Sequence, residues 1–430
     1  MQMGKYKLGN IATVEISGVD KKIKDGEKKI RLCNFVDVYY NWAITTARHD
    51  SFMFATASSK EISKFQLKKG QVALTKDSET RDDIGISTYI ADDFDDVILG
   101  YHCALITPQR NILDGSYLNA ILHTKYAKKY FACNASGSGQ RYALSVEALN
   151  SFPIPKIPLS EQKRIGEIFS SLDKKIELNR LINQNLEAMA KQLYDYWFVQ
   201  FDFPDENGRP YKSSGGKMVW NEKLKREIPE GWDSIPIGNY APCKGGYAFK
   251  SSDFCKRRGV PVIKIGNIRD DYTLDMTDCQ CIENFDNSQF LAKRFDLVIA
   301  MTGATIGKFA ISQRDYWVNQ RVGRFELGDT PLNRLGYLFN SLKQDYFREQ
   351  IFQIASGCAQ PNISSEQIDA ILILKPKDSI LSQFNNICRS LLKQQSENLL
   401  QIEELTKQRD ELQPLLMNGQ VSVNSDLAHD

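Results

Sequence analysis

Six residues of this sequence, GATIGK (Gly303–Lys308), come close to a phosphate-binding loop. A loop that cradles nucleotide phosphates has four residues between its glycines, and a Ser or Thr after its lysine binds Mg²⁺. Here three residues separate the two glycines, and Phe309 follows the lysine. The spacing therefore argues against a nucleotide site. An NTPase built on this loop would lose nucleotide binding in a Lys308→Ala variant.

Other catalytic and metal-binding patterns are missing from the sequence as well. Cys279 and Cys281 make the one close cysteine pair, and only four histidines accompany the nine cysteines, so no zinc-ligand spacing is present. The run SGSG (Ser136–Gly139) is not a dinucleotide-binding G-x-G-x-x-G. Neither a G-x-S-x-G elbow nor the adenine-methylating signature Asn-Pro-Pro-Tyr occurs. We therefore predict a non-catalytic chain with no metal or cofactor of its own.

Side chains that can hydrogen-bond a nucleobase follow a loop that the chain contains twice. YFACNASGSGQRYAL and IFQIASGCAQPNISS share a Ser-Gly pair and a Gln three residues later. The residues after the Gln differ: Arg141 and Tyr142 in the first loop, Pro361 and Asn362 in the second. Arg can give two hydrogen bonds to guanine, and Asn can exchange two with adenine. The repeated loop raises the question of which larger elements carry it.

Length and composition favour several domains and a cytoplasmic setting. A chain of 430 residues with 42% hydrophobic content can bury more than one core. The 55 basic and 53 acidic side chains nearly balance, so any nucleic-acid contact must come from local patches. No apolar run approaches the roughly 20 residues of a membrane helix, and the start, MQMGKYKLGN, lacks the apolar region of a signal peptide.

The sequence repeats itself with a period near 220 residues. LGNIA matches IGNYA, KKGQVALT matches KRFDLVIA, and SYLNAILHTKYAKKYF lies without a gap over GYLFNSLKQDYFREQI. LCNFVDV resembles IGNIRDD with Asn34 over Asn267, a pair that we interpret as structural. Because these matches occur in the same order, they predict two related halves with a common fold.

A long helical stretch follows each half. The first carries Ile165, Leu172, Asn179, Leu186 and Leu193 at heptad position a, with Ile168, Lys175, Ile182, Met189 and Tyr196 at d. The second carries Phe384, Leu391, Asn398, Leu405 and Leu412 at a, and its d row (Ile387, Gln394, Gln401, Gln408, Leu415) is polar enough to shift its seam toward e. Asn179 and Asn398 are central and predicted to fix the register. We favour two helices that pack on each other over helices that pack only on their own domains.

The central stretch PLSEQKRIGEIFSSLDKKIELNRLINQNLEAMAKQLYDYWFVQFDFP, continued by GRPYKSSGGKMV and IPEGW, resembles the central conserved region of type I restriction-modification specificity subunits. LQPLLMNGQVSV resembles their C-terminal conserved region. FDLVIAMTGATIGK, and RLCNFVDVYYN with ALTKDSETRDDIGIS, resemble two of their target-recognition domain types. The resemblance covers nearly the whole chain. It implies two domains that each read one half of a split site in double-stranded DNA, and two long helices that set the gap.

The resemblance also implies partners. The helices would dock two methyltransferase subunits, through which the restriction and translocation subunits join. S-adenosylmethionine, ATP and Mg²⁺ would belong to those partners, and no membrane is involved. The predicted domains are residues 1–158 (target recognition), 159–199 (helix), 200–228 (linker), 229–376 (target recognition), 377–418 (helix) and 419–430 (tail). The fold class is α+β, with two paralogous mixed α/β domains separated by an antiparallel coiled coil. The alternative function is a coiled-coil adaptor that binds only proteins.

Two readers of different half-sites should share what holds the loop or touches phosphate, and differ where they touch bases. Loop architecture or phosphate contact is therefore predicted for Ser136, Gly137, Gln140, Ser356, Gly357 and Gln360. Candidates for DNA contact in the first domain are Lys76, Ser78, Thr80, Arg81, His102, Arg141 and Tyr142. Those in the second are Lys256, Arg257, Arg258, Lys264, Arg269, Thr302, Thr305, Lys308, Gln320, Arg321 and Asn362. Plain hydrophilic turns and surface ion pairs are the competing interpretations.

Overall fold

The computed structural model of the chain describes residues 4–137, 141–255, 258–277, 279–355 and 362–417. The chain forms two compact units, one of residues 1–178 with 402–430 and the other of residues 179–401. Each unit therefore combines one half of the repeat with a part of both long helices. None of the helices within the described ranges is long and apolar enough to cross a membrane.

The described residues of the first unit form four sheets and five short α-helices besides their share of the long ones. Its strands are β1 (Lys5–Lys7), β2 (Ala12–Ile16), β3 (Lys28–Cys33), β4 (Ala43–Ile44), β5 (Met53–Ala57), β6 (Val72–Thr75), β7 (Asp77–Ser78), β8 (Ser87–Ile90), β9 (Val97–Leu99), β10 (Cys103–Pro108), β11 (Ser136–Gly137), β12 (Tyr142–Ala143) and β13 (Pro153–Pro155). Its short helices are α1 (Phe35–Tyr39), α2 (Ser59–Phe65), α3 (Gly115–Leu122), α4 (Lys125–Asn134) and α5 (Val146–Asn150). The sheet orders are β2-β10-β6-β8-β4, β5-β3-β9, β11-β12-β7 and β1-β13.

The second unit repeats this plan with different strand lengths. Its strands are β14 (Met218–Asn221), β15 (Arg226–Pro229), β16 (Asp233–Pro236), β17 (Cys243–Gly245), β18 (Phe254–Cys255), β19 (Val260–Ile263), β20 (Cys281–Ile282), β21 (Leu291–Ala292), β22 (Leu297–Ala300), β23 (Phe309–Ile311), β24 (Tyr316–Val318), β25 (Val322–Phe325) and β26 (Leu372–Lys375). Its short helices are α7 (Ile237–Tyr240), α8 (Leu332–Leu342), α9 (Asp345–Ala355) and α10 (Ser365–Asp369). The sheet orders are β17-β25-β22-β23, β18-β20-β19-β24-β21, β16-β26 and β14-β15.

The central strand of each half is buried on both faces. In β6, Val72 and Leu74 pack in the cluster that contains α3 and α4, whereas Ala73 packs in the cluster that contains β3 and β9. The strand β22 divides its side chains between two clusters in the same way. A strand covered on both sides has no polar face, which is why VALT and LVIA read as continuous apolar runs. The predicted match of KKGQVALT with KRFDLVIA is confirmed.

The helix α6 (Leu159–Tyr194) ends in a π-helical turn at Asp195–Val199, and α11 spans Asp378–Met417. Within the second unit the two helices pair in antiparallel fashion. Asn179 Nδ2 donates to Gln401 Oε1 at 3.1 Å, while further along α6 Asn183 contacts Asn398, which precedes Gln401 on α11. The predicted antiparallel pairing is thus present in this unit. The helices also pack on the domain, since Phe384 and Trp197 belong to its core.

The predicted heptad d row is wrong for α6, and the buried stripe runs through position e instead. Lys175, Met189 and Tyr196 are exposed at d, whereas Phe169, Ile176, Ala190 and Trp197 are buried at e. In α11 the exposed d residue Ile387 stands next to the buried e residue Cys388, as the polar d row predicted. A helix that contacts both a partner helix and a domain needs a wider, shifted apolar stripe than a two-helix seam does.

The stretch 200–228, predicted as a surface linker, is partly core. Phe201 and Phe203 are buried, and Phe203 stacks on Trp232 with ring centroids 4.7 Å apart. The hairpin β14–β15 then closes the segment by placing Ile228 in the same cluster. Its Gly, Pro and charged residues occupy the turns between these apolar anchors. This segment therefore packs as part of the second unit and is not a free linker.

The proposed match of Asn34 with Asn267 is displaced by three residues. Parallel pairing of β3 with β9 and of β19 with β24 makes Cys33 equivalent to Ile263. Asn34 then corresponds to Lys264, and in each half the main-chain nitrogen at that position donates at 2.8 Å to a side chain three residues later, Asp37 or Asn267. Both asparagines are structural, as predicted, but they hold opposite ends of the same turn.

Candidate nucleic-acid interface

In the first unit, three separate segments meet where β6 ends. The main-chain nitrogen of Lys76 donates to the carbonyl oxygen of His102 at 2.9 Å. The nitrogen of Leu144 then donates to the carbonyl oxygen of Lys76 at 2.8 Å. This pair of bonds, which we call the clamp, joins the loop after β6 to the turn before β10 and to the strand before α5. Candidates far apart in sequence are thereby brought to one surface.

The second unit has the same clamp at the end of β22. The nitrogen of Met301 donates to Arg321 O at 3.0 Å, and the nitrogen of Ile363 donates to Met301 O at 3.0 Å. His102 is therefore equivalent to Arg321. The clamp also makes Ile363 equivalent to Leu144, so the predicted alignment of Asn362 with Tyr142 is wrong by one residue. Asn362 occupies the place of Ala143.

A carboxylate that the sequence comparison did not select organises the first surface. Asp77 directly follows the clamped Lys76, and both its oxygens accept from Lys76 Nζ at 2.9 Å. His102 Nδ1 lies 2.5 Å from Asp77 Oδ2, and the Asp77 side chain is only 10% exposed. Burial raises the pKa of this carboxyl, but the hydrogen bonds from His102 and Lys76 outweigh burial and keep the pKa below its ordinary value. Asp77 is thus held as an anion beneath the surface.

Arg141 extends this network outward. Its Nη2 lies 2.7 Å from His102 Nδ1, 3.0 Å from His102 Nε2 and 3.6 Å from Asp77 Oδ2. His102 thus lies between the Asp77 carboxylate and the Arg141 guanidinium, within hydrogen-bond distance of both. The Arg141 side chain is 60% exposed, so it is the outermost member of the chain of contacts. The competing interpretation of Arg141 was a surface ion pair. The only ion pair of Arg141 among the described residues is the 3.6 Å contact with Asp77.

The small sheet β11-β12-β7 supports this surface. Tyr142 pairs with Ser78 across β12 and β7, and the Arg81 guanidinium lies 5.1 Å from the centroid of the Tyr142 ring. Gly137 has φ +147°, and a Cβ atom there would meet Arg141 O at 2.0 Å. Only glycine fits such a close approach of two backbones. These contacts support the prediction that Gly137 serves the architecture of the loop.

Two lysines that sequence reasoning missed lie beside Arg81. A shallow cavity of about 400 Å³ is lined by Arg81, Lys128, Lys129 and three neighbours, Asp82, Ala132 and Cys133. Both lysines sit on α4 and are exposed. The sequence KYAKKYF could have drawn attention to them, because helix periodicity turns Lys128 and Lys129 away from the buried Ala127 and Phe131. The surface around Arg141 is therefore basic beyond the candidates chosen from loops.

In the second unit the clamp brings a smaller set of candidates together. Thr302 forms a backbone bridge with Asn362, and Arg321 supplies the carbonyl that holds Met301. Asn362, Gln320 and Arg321 are exposed. Thr302, in contrast, is 6% exposed. Asn362, Gln320 and Arg321 remain candidates, whereas Thr302 is covered and was wrongly predicted to face DNA.

Other candidates of the second unit are engaged locally. Lys308 Nζ lies 2.8 Å from Asp270, Arg269 pairs with Asp275, and Lys264 stands 4.2 Å over the ring of Phe254. The hydroxyl of Thr305 is buried and, within the described part of the chain, has no hydrogen-bond partner. Thr305 as a whole is half-buried, so its hydroxyl would have to be uncovered before it could hydrogen-bond a base. For the three cations, a contact with DNA would compete with an existing interaction.

The remaining candidates divide into two groups. Thr80 and Arg258 are exposed, and the Arg258 carbonyl accepts from the Cys255 thiol at 2.7 Å. Ser136 is exposed on β11 and its hydroxyl lies 3.3 Å from Ala143 O. Six predicted residues lie outside the described ranges, namely Gln140, Lys256, Arg257, Ser356, Gly357 and Gln360.

The chain contains two related α+β units, and they present different polar side chains on the same clamp. These features are typical of a protein that recognises a ligand in two parts. The family model described as "Type I restriction modification DNA specificity domain" matches residues 3–188 and 229–401. The chain belongs to this family. It is therefore a non-catalytic subunit for DNA-sequence recognition in a type I restriction-modification system, and the enzyme is the assembly to which it contributes. The adaptor alternative is not favoured.

Individual relatives agree with this assignment. The HindI specificity subunit of Haemophilus influenzae is 25% identical over 417 residues, covering 83% of this chain and 88% of the relative. The MjaVIII specificity subunit of Methanocaldococcus jannaschii is 26% identical over 345 residues, covering 76% and 75%. The crystal structure of a type I system S subunit from M. genitalium superposes with a TM-score of 0.57 at 15% identity over 96% of both chains. At that identity the likeness supports the fold alone.

Proposed function

We propose that each unit reads one half of a split DNA site, and that it does so with the side chains presented on its clamp. The observation that supports this proposal is a contrast between backbone and side chains. The same two main-chain hydrogen bonds recur in both units, yet Asp77 and His102 in one are replaced by Thr302 and Arg321 in the other. A common frame with different contacts is what two readers of different half-sites require.

The charges around the first clamp favour a nucleic acid over a protein partner. Arg81, Lys128 and Lys129 are exposed around one cavity, and Arg81 lies over the ring of Tyr142, the sequence neighbour of Arg141, although the whole chain is nearly neutral. Cations concentrated beside a reading surface bind phosphates and release counterions, which makes affinity fall with salt. In this proposal the clamp residues approach bases while the neighbouring lysines hold the backbone.

We further propose that the long helices set the gap between the half-sites and dock two methyltransferase subunits. Leu181 and Met189 on α6 and Tyr196 in the π-helical turn that follows it are 46%, 54% and 38% exposed. Exposed apolar side chains of this kind are suited to contact with another protein. Restriction subunits would join through the methyltransferases. S-adenosylmethionine, ATP and Mg²⁺ would bind those partners in the cytoplasm, and this chain would hold no cofactor.

The test is a map of methylated bases. The chain is expressed with its cognate methyltransferase subunit in cells that lack DNA methylation, and modified adenines are located by single-molecule sequencing. The proposal expects one split motif with a fixed gap. A stable complex that methylates no such motif would contradict it. Binding of the same complex to DNA should also weaken steeply with salt, whereas a protein-only adaptor would show no salt-dependent DNA binding.

A further inference from the structure

We propose that Arg141 reads a guanine in the half-site of the first unit, and that Asp77 positions Arg141 through His102. This inference rests on the proposed function and names the base that the site takes. The three side chains form a series from inside to outside, with exposures of 10% for Asp77, 26% for His102 and 60% for Arg141. The buried carboxylate of Asp77 thus holds the exposed guanidinium of Arg141 in place through the ring of His102.

The free edge of the guanidinium matches guanine. All the hydrogen bonds that the described residues make to Arg141 use Nη2. Nη2 carries two hydrogens, one on each edge of the guanidinium, so the hydrogen that does not face His102 still forms a fork of two parallel donors with the neighbouring Nε or Nη1 hydrogen. In the major groove guanine presents two neighbouring acceptors, O6 and N7, which such a fork contacts at once. Adenine presents a donor beside N7 and cannot accept both bonds.

The neighbouring cations are less suited to reading a base. Lys76 Nζ is bound by both oxygens of Asp77, and its side chain is 19% exposed. Arg81 is placed over the Tyr142 ring, and Lys128 is exposed on α4 without such an anchor. Phosphate contact needs charge more than orientation, whereas a bidentate base contact needs a fixed plane. Among these described cations, Arg141 combines an exposed guanidinium with hydrogen bonds to a side chain beneath it.

The first experiment compares methylation motifs of four complexes: the wild type, Arg141→Ala, Arg141→Lys and Arg110→Ala. His102 precedes β10, whereas Arg110 follows the other end of this strand and donates to Lys69 O. The Arg110→Ala variant therefore removes the same charge at a place away from the clamp. Both Arg141 variants should accept other bases at one G·C pair of one half-site. Discrimination there should fall roughly 5- to 150-fold. The gap, the other half-site and the Arg110→Ala motif should stay unchanged.

The lysine variant separates base reading from phosphate contact. Lysine keeps the charge but cannot form the two-pronged fork. If Arg141→Lys retains the wild-type motif while Arg141→Ala weakens every site evenly, Arg141 contacts phosphate and the inference is overturned. It is also overturned if both variants keep the wild-type motif at full activity, or if the half-site of the first unit consists of A·T pairs alone. A wild type without any split motif overturns the proposed function itself.

A second experiment covers the case in which the Arg141 variants do not assemble. The wild-type complex is titrated with duplexes in which each guanine of the half-site is replaced in turn by 7-deazaguanine, which lacks the N7 acceptor. Replacement of one particular guanine should weaken binding several-fold. If no replacement weakens binding, the inference is overturned. Asp77→Asn should shrink this penalty without changing the penalty at other guanines. An unchanged penalty in Asp77→Asn removes the positioning role of Asp77.

Discussion

The side-chain amide of Asn398 donates to Asn183 Oδ1 at 2.8 Å, which joins the two long helices near their middle. Around this bond, Asn183 Nδ2 donates to Gln395 O and Gln395 Nε2 donates to Asn183 O, both at 3.2 Å. Asn398 is 2% exposed, so its polar atoms depend on these partners. A buried amide network at one place in a helix pair penalises other registers, because any shift leaves the amides unpaired.

Replacing Asn398 by Ala should therefore destabilise the second unit by about 1–3 kcal/mol, since Asn183 loses its buried partner. Urea unfolding followed by circular dichroism measures the loss. Asn179→Ala is the matched control, because Asn179 is half-buried and bonds the exposed Gln401. It should cost less than about 0.5 kcal/mol. Equal losses in the two variants would show that Asn398 has no special role in the seam.

The sequence predicted Asn398 but missed Asn183, and the reason is geometric. Asn183 stands at heptad position e, which a strict a/d pattern assigns to the flank. The contact with the domain rotates α6 so that position e is buried, as Phe169 and Trp197 also show. Periodicity within one helix cannot reveal this rotation, because it depends on surfaces from other parts of the chain. The pairing of the two helices was predictable from their matched lengths and central amides, whereas their antiparallel direction followed only from the family resemblance.

His123 makes the stability of the first unit depend on pH. It stacks on Trp42 with centroids 4.3 Å apart, and its Nε2 lies 2.8 Å from Ser87 O. Burial lowers the pKa of His123 to about 4, and the nearby Arg409 contributes to the shift. The unfolded chain therefore binds more protons than the folded chain between pH 6.5 and about 4. Stability should be full above pH 6.5 and fall by about 2–3 kcal/mol as the pH is lowered to 4.

The variant His123→Gln keeps a side-chain donor that can reach Ser87 but has no titratable ring, so this part of the pH dependence should disappear. Thermal unfolding between pH 4 and 7 measures it. His49→Gln is the control, because His49 is exposed and bonds to Asp96 and Asp50 raise its pKa. His49→Gln should retain the loss of stability on the acid side, and that loss should be at least as large as in the wild type, because a histidine with a raised pKa stabilises the folded chain at low pH. A wild-type slope in His123→Gln would mean that other groups cause the acid sensitivity.

Lys128 and Lys129 should contribute to DNA affinity without contributing to specificity. Replacing both by Ala should weaken binding of the complex to specific and unrelated duplexes alike. Each lost phosphate contact should reduce the slope of log affinity against log salt by about 0.9. Fluorescence anisotropy at several salt concentrations measures the slope. Replacing the exposed helix pair Lys174 and Lys175 removes the same charge and serves as control; an equal effect there would exclude a local contact at α4.

How far the recognition surface could be predicted differs between its parts. Arg141 and His102 were found because they differ between two aligned halves. Asp77 was overlooked, because its role depends on the clamp that brings residues 25 and 64 positions away against it, which no local pattern contains. Thr302 was selected for its loop and proved to be covered by the bridge to Asn362. Sequence comparison locates a surface, whereas exposure on it is decided by tertiary packing.

The length of the helix pair should determine the gap between the half-sites. We predict that deletion of residues 172–178 together with 402–408, one heptad from each helix, shortens the recognised gap. Seven helical residues span about 10 Å, which corresponds to up to about three base pairs. The shorter gap also rotates one half-site around the duplex, so the variant should bind more weakly because DNA twist must adjust. Deleting 172–178 alone unbalances the pair and should abolish the complex. A methylation map that shows the original gap in the double deletion would disprove the spacer role.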